Sequence, residues 1–446
     1  MLKLYSANWI LPVSAPPIAD GALIVDDELI VDAGLRSEMI ARYGGRISET
    51  RDFGSSALLP GFINTHSHLE LTMLRGCLEG LGFRDWLLGI IRLKEALTRD
   101  DLLISAKLGA IEALRAGITT TADTCESGVV VDALNDSGQR GIVYQEVFGV
   151  DPAVADESLN GLKVRVSILT DRAGSKVRIG VSPHSTYTVS PVLFPLVTEY
   201  ARANDLPLAI HTAESIDEDR FVRLNEGEFA ESYRRRGVAW QGRDVSVIKY
   251  LASLGVLAAS PLLIHCVQVD NDDLEIISST KSKIAHCPKS NAKFGHGIAP
   301  LSEMISAGVR LGVGTDSVVS NNVCDLIDEA RTACLFARAR SASAGKPTAA
   351  DVIRMATLGG AEALGLEKAI GSLDAGKQSD FCVIDLSQTS TIPVTDPETA
   401  IVFSTSGANV LATAVAGRFL YDRGEIKSLD EVEIKQTFLT AAEKLK

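Results

Sequence analysis

One unit recurs along most of this chain: a short apolar, β-branched run followed by a longer stretch of helical periodicity. Such runs fall at residues 60–66 (PGFINTH), 118–124 (ITTTADT), 141–148 (GIVYQEVF), 178–184 (RIGVSPH), 207–211 (PLAIH), 261–266 (PLLIHC), 283–287 (KIAHC) and 309–315 (VRLGVGT), eight in all. A parallel strand can be reached only through a crossover, so this alternation predicts an α/β fold around a parallel sheet. Eight strands favour a closed TIM-type (β/α)8 barrel over an open doubly wound sheet, which usually has fewer. Helices are expected over 99–116, with Thr98 and Asp100 as cap candidates and Gly117 as the stop, and over 323–340. In the second of these, Asp325, Asp328 and Glu329 sit in the first turns, where the helix dipole favours acids.

The two flanks break the pattern. Residues 1–57, containing ADGALIVDDELIVDAG, and 371–425, containing GSLDAGKQSDFCVIDL and ANVLATAVAGRFLYDRG, read as short strands with turn punctuation. Neither flank is long enough to build a core alone. The expectation is one small β-sandwich made from residues 1–57 plus 371–446, attached to a catalytic barrel spanning 58–370.

The chemistry is concentrated at the ends of the predicted strands. His66 and His68 close the first run as H-S-H, and residues two apart on a strand point to the same side. His211 ends the fifth run, His265 the sixth, and Asp316 follows the eighth. In a TIM-type barrel the C-terminal strand ends form the active-site rim, so topology alone brings four of the seven histidines and one aspartate together. A lone histidine on an apolar strand is ordinarily a packed core residue; five such coincidences point instead to one metal site. Three imidazoles and a carboxylate suit Zn²⁺, with Fe²⁺ or Mn²⁺ also compatible. Glu214 lies three residues past His211, where the chain leaves the strand, a position suited to a general acid.

Composition narrows the classes further. Apolar residues make up 46% of 446, enough for a large core. A net charge of −13 without a basic block argues against a nucleic-acid partner. It does not exclude a small anion, which one local Arg or Lys can hold. Seven scattered cysteines with no C-x-x-C pair read as buried thiols of a reducing cytoplasm. The N-terminal stretch, broken by Pro12, is a poor signal peptide, and no run of eighteen apolar residues predicts a membrane span. The expected location is cytoplasmic and the expected partner a small molecule; a homo-oligomer is left open.

The order PGFINTHSH, IHTAE, IHC, then GTDS with an Asn pair nearby resembles the amidohydrolase superfamily. Within it, the chain is similar to the branch of cytosine, guanine and S-adenosylhomocysteine deaminases and triazine hydrolases. The likeness runs nearly the whole length and includes the closing GSLDAGKQSDFCVID. It implies that His66, His68, His211 and Asp316 bind one divalent metal ion, that Glu214 carries a proton to a ring nitrogen, and that His265 and Asp316 aim and deprotonate the attacking water. A divalent ion lowers the pKa of water from ~15.7 toward ~7, which is what a hydrolytic deamination at neutral pH requires. Binuclear members carry a bridging Lys at the fourth strand; RIGVSPHS has none, which implies a single ion. The H-x-E with P-C-x-x-C pattern of cytidine-type deaminases is absent.

The same resemblance implies a substrate. His184 and Ser320 match positions that touch the purine in related deaminases, and Trp86 and Glu95 resemble first-loop residues that pack on and hold the nucleoside. One departure is that LKE stands where S-adenosylhomocysteine deaminases usually have Pro before the Glu. HSHLELT, AHCPKSNAKFGHGIAPL, IVYQEVFG and SPHSTYTVS look most like the aminodeoxyfutalosine deaminases of the alternative menaquinone pathway. Their substrate is an adenosine whose 5′ arm ends in a benzoate, and Arg92 and Lys94 are the candidates to meet that carboxylate. The leading expectation is therefore 6-aminodeoxyfutalosine deaminase, followed by 5′-methylthioadenosine/S-adenosylhomocysteine deaminase, then a chlorohydrolase or guanine-type deaminase. A non-catalytic barrel scaffold is the rival of another class. His286 and His296 carry no expected chemical role.

Overall fold

The computed structural model describes residues 1–445. Eight parallel strands form one sheet: Phe62–Ser67, Ile118–Cys125, Arg140–Val147, Val177–Pro183, Ala209–Thr212, Leu262–His265, Lys283–His286 and Arg310–Val313. They neighbour one another in chain order, and the eighth also pairs with the first. A parallel bridge from Val181 to Leu208 joins the fourth strand to the residues leading into the fifth, an arrangement consistent with a TIM barrel. All eight match the runs expected from the sequence, most within a residue or two at each end, because β-branched residues between turn signals satisfy a strand buried on both faces.

The helices follow local rules. Arg99–Arg115 starts from Thr98, but the reciprocal partner in its capping box is Asp101 rather than Asp100. The helix expected from 323 begins at Leu326, because Asp325 is itself the cap and accepts the backbone N–H groups of Ile327 and Asp328.

Strands from both chain ends form a second, nine-stranded sheet. Ser56–Pro60 joins its halves, pairing antiparallel with Phe381–Asp385 and parallel with Leu2–Ile10. Hydrogen bonds link all nine strands into one sheet, so the two chain ends do build a single β unit. Tyr5, Phe53, Phe381 and Phe419 pack on one another in its core. The chain passes between sheets at Gly61, where a Cβ would lie 2.1 Å from Cγ2 of Thr119. The last helix, Glu431–Ala442, leaves this sheet and packs on Arg99–Arg115, tied by Arg115 to Glu431 at 2.6 Å and by Lys444 to Asp101 at 2.5 Å.

Candidate active site

The C-terminal ends of seven of the eight strands, all but Lys283–His286, border a cavity of about 590 Å³, a size suited to a small organic ligand. His68 lines it just past the first strand, and His66 lies within that strand behind it, with ring centroids 4.8 Å apart. His211 brings its ring to 4.9 Å from His66, and His265 to 5.8 Å. Asp316 stands three residues beyond the eighth strand with Oδ1 3.2 Å from Nε2 of His66 and 3.6 Å from Nε2 of His68. The Asp316 amide donates to the His66 carbonyl at 2.9 Å. That close approach needs Gly314, where a Cβ would sit 2.9 Å from Cβ of His66.

The backbone turns sharply where these side chains are presented. Ala213, His265, Cys266 and Asp316 all have positive φ, between 49° and 76°. Non-glycine residues take this conformation at a cost of roughly 1–3 kcal/mol each, and such strain gathers at functional sites.

The five groups have the character of a metal cradle. Donor atoms of His66, His68 and His211 lie within 4.8 Å of one another, as do those of His66, His265 and Asp316. Nε2 of His66 is buried and has no aligned hydrogen bond despite its nearness to Asp316. Burial holds the His66 and His211 imidazoles below their ordinary pKa, and burial plus repulsion from His66 brings His68 down to about 3. Neutral imidazoles are what a cation needs as ligands. Burial would raise the Asp316 carboxyl, but the histidines around it, His66 first, outweigh burial and hold it well below its usual value. The donor set therefore fits a divalent ion held by His66, His68, His211 and Asp316.

Glu214 is fixed from behind. Its backbone N–H donates to Oε2 of Glu218 at 2.9 Å, on the helix Ile216–Leu224 capped by Ser215. Its Oε1 lies 3.6 Å from Nε2 of His265 and 3.5 Å from Nε2 of His296. Burial favours protonation, but His265 and His296 outweigh it and keep this carboxyl below its ordinary value. His296, given no chemical role on sequence grounds, thus stands directly beside Glu214. Nδ1 of His265 meets Oδ1 of Asn291 at 2.9 Å. His286 stays in the protein interior, away from this cavity.

Trp86 and His184 line the cavity; Nδ1 of His184 is 2.9 Å from the Thr188 hydroxyl. Three expected substrate contacts are placed elsewhere. Ser320 is fully buried, with its hydroxyl 3.0 Å from both Oδ2 of Asp316 and the Ser317 carbonyl and Ser290 2.5 Å from the same carboxylate, so it faces Asp316 rather than the cavity. Glu95 caps the C-terminus of helix Phe83–Lys94 and is exposed, outside the cavity. Arg92 is exposed on the opposite face of that helix from Phe83, since nine residues at 100° each make a half-turn of the wheel. Lys94 does line the cavity but bridges Glu70 at 2.8 Å and Glu126 at 2.9 Å. Arg84 and Arg236 are the other cations on the wall. Glu70, Glu146 and Asn291 had no assigned role in the sequence. Glu70 and Glu146 follow H-S-H and end the third strand, the positions where a strand-end survey could have found them.

A model of the amidohydrolase family matches residues 57–420. The chain is 33% identical to a 5-methylthioadenosine/S-adenosylhomocysteine deaminase of Moorella thermoacetica, over 95% of each. It is 31% identical to a 5′-deoxyadenosine deaminase of Methanobrevibacter smithii, over 96% of this chain and 99% of that one. The crystal structure of an adenosine deaminase from Xanthomonas campestris with bound zinc superposes with a TM-score of 0.87 at 26% identity, covering 99% of this chain and 98% of that one.

Proposed function

The chain belongs to the amidohydrolase family, and from that premise we propose that it is a metal-dependent hydrolytic deaminase of adenine-type nucleosides with a modified 5′ position, of the 5′-methylthioadenosine, S-adenosylhomocysteine and 5′-deoxyadenosine kind. The observation that carries this reading is the placement of Glu214 and His265 beside the cradle of His66, His68, His211 and Asp316 at the floor of one cavity. A divalent ion in that cradle, with zinc the first choice for its ligand set, makes water a competent nucleophile at neutral pH.

The chain's own residues supply the rest. Glu214 is ionised at neutral pH, so it can take a proton and return it to the ring nitrogen next to the carbon under attack. Protonating that nitrogen removes the negative charge that addition to the ring would otherwise build there. With the Asn291 oxygen turned toward it, Nδ1 of His265 carries the hydrogen, which leaves Nε2 to accept a second proton. His184 and Trp86 flank the space left for the base. The aromatic wall of Phe83, Tyr187, Phe229 and Phe294 excludes water and suits an apolar 5′ substituent.

Deamination of 6-aminodeoxyfutalosine in menaquinone biosynthesis is the second reading. The presence of Arg84 and Arg236 on the cavity wall favours it, because either could meet a carboxylate at the end of the 5′ arm. It loses the support of Arg92 and Lys94, one outside the cavity and the other already paired. Ammonia release from 5′-methylthioadenosine, S-adenosylhomocysteine, 5′-deoxyadenosine and 6-aminodeoxyfutalosine separates the two. The first reading predicts that one of the first three has the highest kcat/KM. A tenfold advantage for 6-aminodeoxyfutalosine that disappears in Arg84→Ala or Arg236→Ala establishes the second. Release from none of the four refutes both.

A further inference from the structure

The carboxyl of Glu146 ends the third strand and is 7% exposed. Its Oε1 has no hydrogen-bond partner, and no ion pair reaches the carboxyl among the described residues. The nearby cation, Lys94, is bridged between Glu70 and Glu126. A buried polar group without a partner is costly, and one that persists in a folded protein calls for a partner the protein itself does not supply. Glu146 lies on the wall of the cavity, with a carboxyl oxygen within 4.8 Å of a ring nitrogen of His184 and of His211. The missing partner therefore arrives with the ligand.

The surroundings define what kind of group it is. Glu70, Glu126 and Glu146 gather three carboxyl groups around one lysine on this side of the cavity, and burial pushes that of Glu146 up to about 8, so among the described residues this part of the wall has no free cation for an anionic ligand group and offers carboxyl oxygens to hydrogen-bond donors. In an adenine-type nucleoside the amino group and ring nitrogen are taken up by the cradle and Glu214. The donors that remain are the sugar hydroxyls. Glu95, expected to hold the nucleoside, lies outside the cavity and leaves that task unfilled. We propose that Glu146 is a substrate-binding residue that accepts hydrogen bonds from the sugar hydroxyls of the nucleoside, so that the enzyme selects ribosides over their dideoxy counterparts. The inference rests on the adenine-nucleoside reading and adds to it the group that recognises the sugar.

The test compares adenosine with 2′,3′-dideoxyadenosine on zinc-loaded protein. Binding is measured by calorimetry in a Glu214→Gln background, and turnover in the otherwise native chain. With Glu146 in place, adenosine should bind at least about tenfold more tightly, the usual discrimination by a buried acceptor that the wrong ligand leaves unpaired. With Glu146→Leu, which removes both acceptor oxygens, the difference should shrink to less than about threefold, while dideoxyadenosine binding changes little. The metal-free Glu146→Leu protein should melt no lower than the native chain, because it loses a buried unpaired carboxyl group, which guards against misreading a folding defect. An unchanged preference for adenosine overturns the proposal. So does the loss of a second bound ion per chain in Glu146→Leu, which would make Glu146, with His184 and His211, a metal ligand instead. If both nucleosides bind with a Glu146-dependent preference but neither is deaminated, the deaminase reading fails and the role of Glu146 stands.

Discussion

Nδ1 of His265 stands 2.9 Å from Oδ1 of Asn291, on the short helix Pro288–Lys293 beneath the cavity. This contact sets the tautomer of the ring whose other nitrogen is 3.6 Å from Glu214. Asn291→Ala should lower kcat by about 10- to 100-fold with the bound metal retained, the range typical of a group that orients a functional histidine. Asn291→Asp, which keeps an acceptor in place, should recover most of the loss. Metal content that falls in step with activity would show that Asn291 shapes the cradle instead.

Glu214 is assigned to proton transfer and not to the metal. Glu214→Gln should keep its metal and bind nucleoside, yet lose kcat by roughly 10²- to 10⁴-fold. Turnover near the native rate in that variant would place the proton with His265 alone.

Ser320 separates the structural account from the one expected from sequence. Its hydroxyl donates to Asp316 at 3.0 Å, so Ser320→Ala should weaken metal retention, by about tenfold, with KM for nucleoside little changed. A raised KM with full metal content would return Ser320 to the substrate.

Stability should depend on pH through Glu329. Burial raises its carboxyl from an ordinary 4.5 to about 8, against the opposing pull of Lys289 and Asn321. The folded state therefore holds a proton that the unfolded chain has released at neutral pH. The sign follows from linkage: the stabilisation is complete below the unfolded value and is lost as pH rises through the folded one. Between pH 5 and 8 the metal-loaded native chain should lose stability more steeply than Glu329→Gln, by up to about 1.4 kcal/mol per pH unit for one proton. Parallel melting profiles for the two proteins would contradict the assignment.

The strands were legible because a strand buried on both faces must be written in uninterrupted apolar, β-branched residues, as in PLLIHC. The cradle was legible because its ligands fall where those strands end, so their spatial convergence follows from topology. The substrate wall was not. Whether Glu95 or Lys94 faces the cavity depends on where the helix Phe83–Lys94 stops and how it is rotated, and neither is encoded in a short local motif. Ser320 shows a related ambiguity: a hydroxyl four residues beyond Asp316 can point at that carboxylate or at the cavity, and spacing does not distinguish them. The place of Glu146 near a strand end was open to a survey of the sequence, but its lack of a partner is visible only once its neighbours are in place. The flanking strands were legible as strands, but which of them pair across hundreds of residues, as Ser56–Pro60 does with Phe381–Asp385, has no local sequence signature.

The central claim is that the cradle of His66, His68, His211 and Asp316 holds a divalent ion on which hydrolytic deamination depends. The most direct measurement is ammonia release from 5′-methylthioadenosine by protein depleted with a chelator and then titrated with zinc, alongside metal content per chain. The account predicts that depletion abolishes release and that activity returns in proportion to bound zinc, levelling near one ion per chain; His66→Ala should neither hold the ion nor recover. Undiminished ammonia release from a chain shown to be free of metal would contradict it.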